Sequence, residues 1–237
     1  MAMKLFEWVQ KEKTIRATMD KATLDYQYFY RDPPRPMLDN PEMFFAPADG
    51  IILYNRVIQD PLDPVLQVKG RYFSLRELLN DPGYSLPSLV VGTFMSSWNC
   101  HVNRMPTAGN LSFKELPLIS TSNVPMLKTE KDILAGFLDV NLIKYVKNNQ
   151  RVLNRIVSTA LGIEYFVGQI ADRDANVITP FAIQQNKWFA QCERFSAIRW
   201  GSQVDLIVPL GDFKYEFLQD EETVVEAGVD GLIKIIP

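Results

Sequence analysis

Apolar and polar positions change period along this chain, and the changes mark its parts. Near the N-terminus, Leu5, Trp8, Ile15, Met19, Ala22 and Tyr26 recur at alternating steps of three and four, with Glu12 breaking the row. That spacing predicts a helix over residues 3 to 30. Lys4, Lys11, Lys13, Arg16 and Lys21 lie around the stripe. Such a helix can pack on the body of the protein. It can equally lie on a membrane surface, with Leu5, Phe6, Trp8 and Val9 inserted and the lysines facing head groups. Arg31-Asp32-Pro33-Pro34-Arg35-Pro36 then stops the helix, and residues 31 to 41 read as a linker.

From Phe44 the pattern turns to short apolar runs between turn signals. Asp49-Gly50 is a turn that leads into the strand Ile51 to Tyr54. Val65 to Tyr72 reads as another strand. Ser74-Leu75-Arg76-Glu77 is a capping box for a short helix ending near Asn80. Leu89 to Met95 is a buried strand. Thr129 to Asp132 can cap a helix through Phe137, and Asp139 to Val146 fits helix or strand. Val152 to Val157 and Ile163 to Ala171 form a hairpin that turns near Gly162. Most of Glu193 to Pro209 reads as one strand, and the tail from Glu222 carries Ala-Gly and Asp-Gly turns. These elements predict an α+β, mainly β fold. It is a single barrel- or sandwich-like domain of short antiparallel strands over residues 42–237, preceded over 1–41 by a helical segment and Pro-rich linker.

Composition narrows the function. The chain has 237 residues, 47% of them hydrophobic, enough for a real core. Its net charge of −3 gives no global pull toward nucleic acid. Two cysteines, Cys100 and Cys192, make no disulfide framework and read as free thiols. No run of 18 apolar residues is present, so no spanning helix is expected, and the N-terminus lacks the apolar centre of a signal peptide. One histidine, His101, must supply any imidazole chemistry. With one distant cysteine it lacks metal-ligand spacing. It sits at the exit of a strand with Asn99, Asn103 and Arg104 close in sequence, where site residues concentrate.

Gly201 lies inside the long apolar run, where glycine weakens a strand. It marks a bulge or tight corner, or it serves chemistry. Gly201-Ser202 is the bond type at which some chains cut themselves, because the serine oxygen can attack the preceding carbonyl.

Four segments, in order, resemble the phosphatidylserine decarboxylase family in its short, compact form. They are Pro47-Ala48-Asp49-Gly50, then His101-Val102-Asn103-Arg104-Met105-Pro106, then Asn149-Gln150-Arg151 with Gln169-Ile170-Ala171, and finally Glu193-Arg194-Phe195 through Arg199-Trp200-Gly201-Ser202 to Pro209. Lys69 to Leu75 resembles a segment of longer members. Many members carry two histidines in the second segment; Arg104 stands at the second position here, as in compact members. Trp200 and Gln203 flank the Gly-Ser pair where compact members more often have Phe and Arg.

The resemblance implies a self-processing enzyme. Asp49 and His101 would support Ser202, whose oxygen would attack Gly201 and split the precursor into two chains. Ser202 would become a pyruvoyl group, the only cofactor implied, with no metal and no pyridoxal phosphate. That group would form a Schiff base with phosphatidylserine and release carbon dioxide and phosphatidylethanolamine. His101, titrating near pH 6.5, would return the proton. Arg104, Asn103 and Asn99 would bind substrate. The implied partners are phosphatidylserine in a membrane surface and the two chains of one precursor; a homodimer is admitted, and the implied location is peripheral, on the cytoplasmic side of a membrane. Decarboxylation of a soluble amino acid, and a non-processing binding member, are the alternatives.

Overall fold

The runs Ser88–Met95 and Ser202–Pro209 are buried along their whole length, which requires a sheet covered on both faces. The computed structural model of the protein describes residues 2–68, 71–117, 127–136, 149–171, 177–199 and 202–236. Its first strands are β1 (Met3–Lys4), β2 (Met43–Phe45), β3 (Gly50–Ile58), β4 (Pro64–Val68), β5 (Arg71–Ser74) and β6 (Ser88–Met95). Then come β7 (Val102–Arg104), β8 (Gly109–Glu115), β9 (Arg151–Ser158), β10 (Ile163–Ala171), β11 (Ile178–Pro180) and β12 (Lys187–Phe189). The last are β13 (Arg194–Ile198), β14 (Ser202–Pro209), β15 (Lys214–Phe217), β16 (Thr223–Val225) and β17 (Gly231–Ile236). The helices are α1 (Leu5–Arg16), α2 (Leu75–Leu79) and α3 (Leu127–Leu134), with a π-helical turn at Thr23–Tyr28.

Nine strands form one antiparallel sheet in the order β1-β16-β3-β6-β14-β10-β9-β8-β12. β6 and β14 are its centre, in register from Ser202 opposite Met95 to Pro209 opposite Ser88. Alternation sorts their side chains by face. Val90, Phe94 and Ile207 join Leu5, Trp8 and Val9 of α1, Leu75, Leu78 and Leu79 of α2, and Phe73 of β5. Leu89, Val91, Met95, Val204, Leu206 and Val208 face the other way, onto Phe44, Phe195, Ile198, Leu232 and Ile233. Two three-stranded sheets, β11-β13-β7 and β15-β17-β2, supply that second layer. The nine-stranded order has two ends, so the sandwich half of the sequence expectation holds and the barrel does not.

Three elements differ from the sequence reading. The helix expected over 3–30 is α1 and a separate π turn. Asp20 Oδ1 accepts from the backbone N–H of Thr23 at 2.7 Å and starts the second piece as an N-cap would. Leu5, Trp8 and Val9 are buried in the core, leaving Phe6 exposed, so the stripe packs on the body and is not a lipid-facing surface. The run Val65–Tyr72 is not one strand but parts of the hairpin β4–β5. The helix near Thr129 is α3, and the segment 139–146 lies outside the described residues. Cys100 and Cys192 are free, as expected, and both are buried. No helix among the described residues is long and apolar enough to cross a membrane.

Candidate active site

The apolar run Glu193–Pro209 is also two strands, and they belong to different sheets. β13 pairs with β7 and β11; β14 begins at Ser202 in the centre of the large sheet. The chain changes layer between Arg199 and Ser202. Trp200 and Gly201 lie outside the described residues. Ser202 is fully buried, opposite Met95 on one side and Ala171 on the other. Its hydroxyl donates to Met95 Sδ at 3.0 Å.

His101 follows β6 through a tight turn. Asn99 Oδ1 ties that turn, accepting from the backbone N–H of Ser96 at 2.9 Å and its hydroxyl at 2.8 Å. The Asn99 carbonyl lies 3.0 Å from His101 Nδ1. A carbonyl only accepts, so Nδ1 carries the proton and Nε2 presents a lone pair. Nε2 is buried and has no partner among the described residues. The Phe29 ring covers the imidazole at a centroid distance of 4.4 Å. Burial, aided by the nearby charge of Arg31, pushes the imidazole down to about 4, below the ordinary 6.5 expected of it. His101 is therefore a neutral, oriented acceptor at neutral pH.

Asp49 does not orient it here. Its carboxylate takes two hydrogen bonds from Arg35, at 2.5 and 2.7 Å, and one from the backbone N–H of Ala227 at 2.8 Å. Arg35 donates also to the Ala227 carbonyl at 2.6 Å. Asn103 is fully buried in a polar network behind Ser202. Gln169 Nε2 donates to Asn103 Oδ1 and Ser196 Oγ, each at 2.6 Å, and Asn154 Nδ2 donates to Gln169 Oε1 at 2.8 Å. Asn103 Nδ2 also reaches Met95 Sδ at 3.8 Å, so Asn103 and Ser202 share one sulfur. Asn99 and Asn103 thus shape the site from behind. Arg104 donates to the Cys192 carbonyl at 3.1 Å and to Asp32 Oδ1 at 3.3 Å.

The end of the expected helix and the start of the segment read as a linker, residues 29–35, run across these residues. Besides Phe29 on His101 and Arg35 on Asp49, the Arg31 guanidinium donates to the Trp98 carbonyl at 2.7 Å, and Cys100 Sγ donates to the Arg31 carbonyl at 3.1 Å. Asp32 bridges Arg104 and Arg194. None of Phe29, Asp32, Arg35 or Arg194 stood out in the sequence as a site residue. The available signal was a charged triplet, Arg31, Asp32 and Arg35, held among prolines with no helical or strand period to explain it. A groove of about 870 Å3 lined by Leu79, Tyr84, Phe113, Leu153, Phe166 and Leu210 opens elsewhere. It touches Pro209, at the far end of β14 and roughly 23 Å from Ser202 at about 3.3 Å per residue. Its lining includes neither Ser202 nor His101. No cluster of metal-ligating side chains occurs among the described residues.

A model of the phosphatidylserine decarboxylase family matches residues 26–230, which takes in the crossing segment and every candidate site residue. The phosphatidylserine decarboxylase proenzyme of Wolbachia pipientis wMel is 29% identical over 191 residues, 79% of this chain and 66% of the relative. The proenzyme of the same name from Erythrobacter litoralis is 28% identical over 184 residues, 77% of this chain and 63% of the relative. That of Ehrlichia chaffeensis is 27% identical over 202 residues, covering 84% and 73%. The chain spans about two thirds of the length of the first two. A match over this much of the chain, on a sandwich whose central strand opens at Ser202, leads to one conclusion: the chain belongs to the phosphatidylserine decarboxylase family.

Proposed function

We propose that this chain is a self-processing, pyruvoyl-dependent decarboxylase of phosphatidylserine. The observation that carries the reading is the setting of Ser202. It is a fully buried hydroxyl at the first position of a central strand, where the chain changes sheets; His101, the one histidine of the chain, is likewise buried and presents an Nε2 unpartnered among the described residues.

Maturation would begin as Ser202 Oγ attacks the Gly201 carbonyl carbon while its proton passes to a base, the role of His101 Nε2. A C–O bond forms, the C–N bond between residues 201 and 202 breaks, and the Ser202 amine takes the proton. Elimination across Cα–Cβ of residue 202 then releases the Gly201 carboxylate. Hydrolysis of the dehydroalanine that remains gives ammonia and a pyruvoyl group. The position is closed to solvent, with Met95 and Ala171 paired opposite it in the neighbouring strands. Once formed, the group supplies an electrophilic carbonyl as an electron sink for the loss of carbon dioxide. The chain's own residues do the rest. Asp49, paired with Arg35, ties the crossing segment to the body. Phe29 excludes water from His101, and Arg104 offers a cation to an acidic substrate.

A denaturing gel tests processing. The active protein is expected to run as fragments of 201 and 36 residues, and Ser202→Ala as one chain of 237. Recovery of two fragments from Ser202→Ala would refute the assigned cleavage point. Carbon dioxide release from phosphatidylserine vesicles, compared with free serine, tests the substrate. Turnover of free serine alone would replace the lipid reading by the soluble one.

A further inference from the structure

Arg104 and Arg194 are direct partners across β7 and β13. Like charges opposite one another in an antiparallel pair repel, so the placement calls for an anion between them. Asp32 provides it, giving Oδ1 to Arg104 and Oδ2 to Arg194. Two cations around one carboxylate still leave a positive charge. The three side chains grade from inside to outside: that of Arg104 is 7% exposed, that of Asp32 26% and that of Arg194 56%. Arg104 is fixed independently of Asp32. Arg104 is held by the Cys192 carbonyl, and its stem lies against Gly228, where a Cβ would come within 2.9 Å of Arg104 Cδ. The crossing segment is anchored separately, through Arg35 to Asp49 and through Cys100 to the Arg31 carbonyl. Asp32 can therefore leave by rotating its side chain into water, without the segment opening.

We propose that Arg104 and Arg194 form a binding site for a phosphate group, and that Asp32 occupies it as a built-in substitute until the ligand arrives. A phosphodiester divides its two free oxygens between two guanidinium groups just as the carboxylate does. The assignment of this phosphate to a substrate head group rests on the decarboxylase reading. The site itself does not.

Titration calorimetry on the uncleaved Ser202→Ala chain tests it, with sn-glycero-3-phosphoserine and inorganic phosphate as probes. Asp32→Asn keeps the shape and removes the competing charge. It is expected to tighten binding roughly tenfold or more, the worth of one charge-assisted hydrogen bond. Adding Arg194→Gln is expected to abolish that gain. A larger gain for glycerophosphoserine supports a head-group site, and an equal gain for both probes supports a site for free phosphate. No gain for either probe, or a gain that survives Arg194→Gln, overturns the proposal and leaves Asp32 as a structural ion pair. If Asp32→Asn does not fold, Arg194→Gln is examined with Asp32 intact. It is expected to lose the saturable rise in Tm with phosphate, and an unchanged rise overturns the site. Failure of the decarboxylase reading is seen separately, as a wild-type chain that neither cleaves nor releases carbon dioxide.

Discussion

Arg35 and Asp49 are both nearly closed to solvent, with side chains 6% and 8% exposed. Removing one partner of such a pair strands the other's charge, so Arg35→Ala is expected to cost about 3–5 kcal/mol in urea unfolding, with Arg35→Lys costing less. Two other buried groups set the pH dependence. Burial pushes the Asp205 carboxyl up to about 6 from 3.8, although Gln203 and Tyr54 hydrogen-bond it. Between about pH 4 and 6 the folded chain keeps a proton there that the unfolded chain has released, so this contribution to stability is lost as pH rises. His101, lowered to about 4, works the other way. The unfolded chain binds the proton first, so stability is lost as pH falls through the same window. Each effect is on the order of 2 kcal/mol, and they oppose. In the Ser202→Ala background, Asp205→Asn is expected to leave a stability that rises from pH 4 to 6, and His101→Gln one that falls. Parallel urea midpoints for the two variants across that range would refute the assignment.

Elements show what local pattern can and cannot give. The capping box was legible because its partners are three residues apart: Ser74 accepts from Glu77 N–H at 3.4 Å, and Glu77 accepts from Ser74 N–H at 3.2 Å. The hairpin β9–β10 was legible because its turn signal, Gly162, has a φ of +66° that glycine favours. The break between β13 and β14 was visible only as a misplaced glycine, since both halves are apolar and buried in different layers. Gly92 makes the same point within a strand. It lies opposite Tyr54, and a Cβ there would come within 2.3 Å of the ring. The space lets Tyr54 reach Asp205 at 2.8 Å and accept from Gln203 at 2.9 Å. Gly92→Ala is expected to displace the ring and cost about 2–4 kcal/mol, read as a fall in the urea midpoint. A change below about 0.5 kcal/mol would mean the ring relaxes freely.

At the scale of the whole molecule, the mainly β class and the ordered segments were legible, and the site's cover was not. His101 and Ser202 drew attention by residue type and neighbours, whereas Asp49 read as a turn residue and took a role only from the family resemblance. Asp32 and Arg35 find partners up to 162 and 192 residues away, and no local period records such distances. The N-terminal stripe was ambiguous for a related reason: an apolar helix face looks the same whether a core or a bilayer covers it. Because the core covers Leu5, Trp8 and Val9, deleting residues 1–20 is expected to lower Tm by several degrees, from exposed apolar surface. An unchanged Tm with weakened sedimentation on anionic vesicles would restore the membrane role.

The central place of β14 bears on how the molecule can be made. With cleavage before Ser202, the shorter fragment would carry β14, flanked by β6 and β10, and β16, flanked by β1 and β3, all four neighbours belonging to the longer one. Neither fragment could leave without dismantling the sheet. The uncut chain assembles this arrangement in a unimolecular reaction; two separated pieces would have to meet first. Recovery of Ser202→Ala from urea should then be indifferent to dilution, whereas recovery of the cut protein should fall as its concentration falls. Processing would make folding a step the protein takes once.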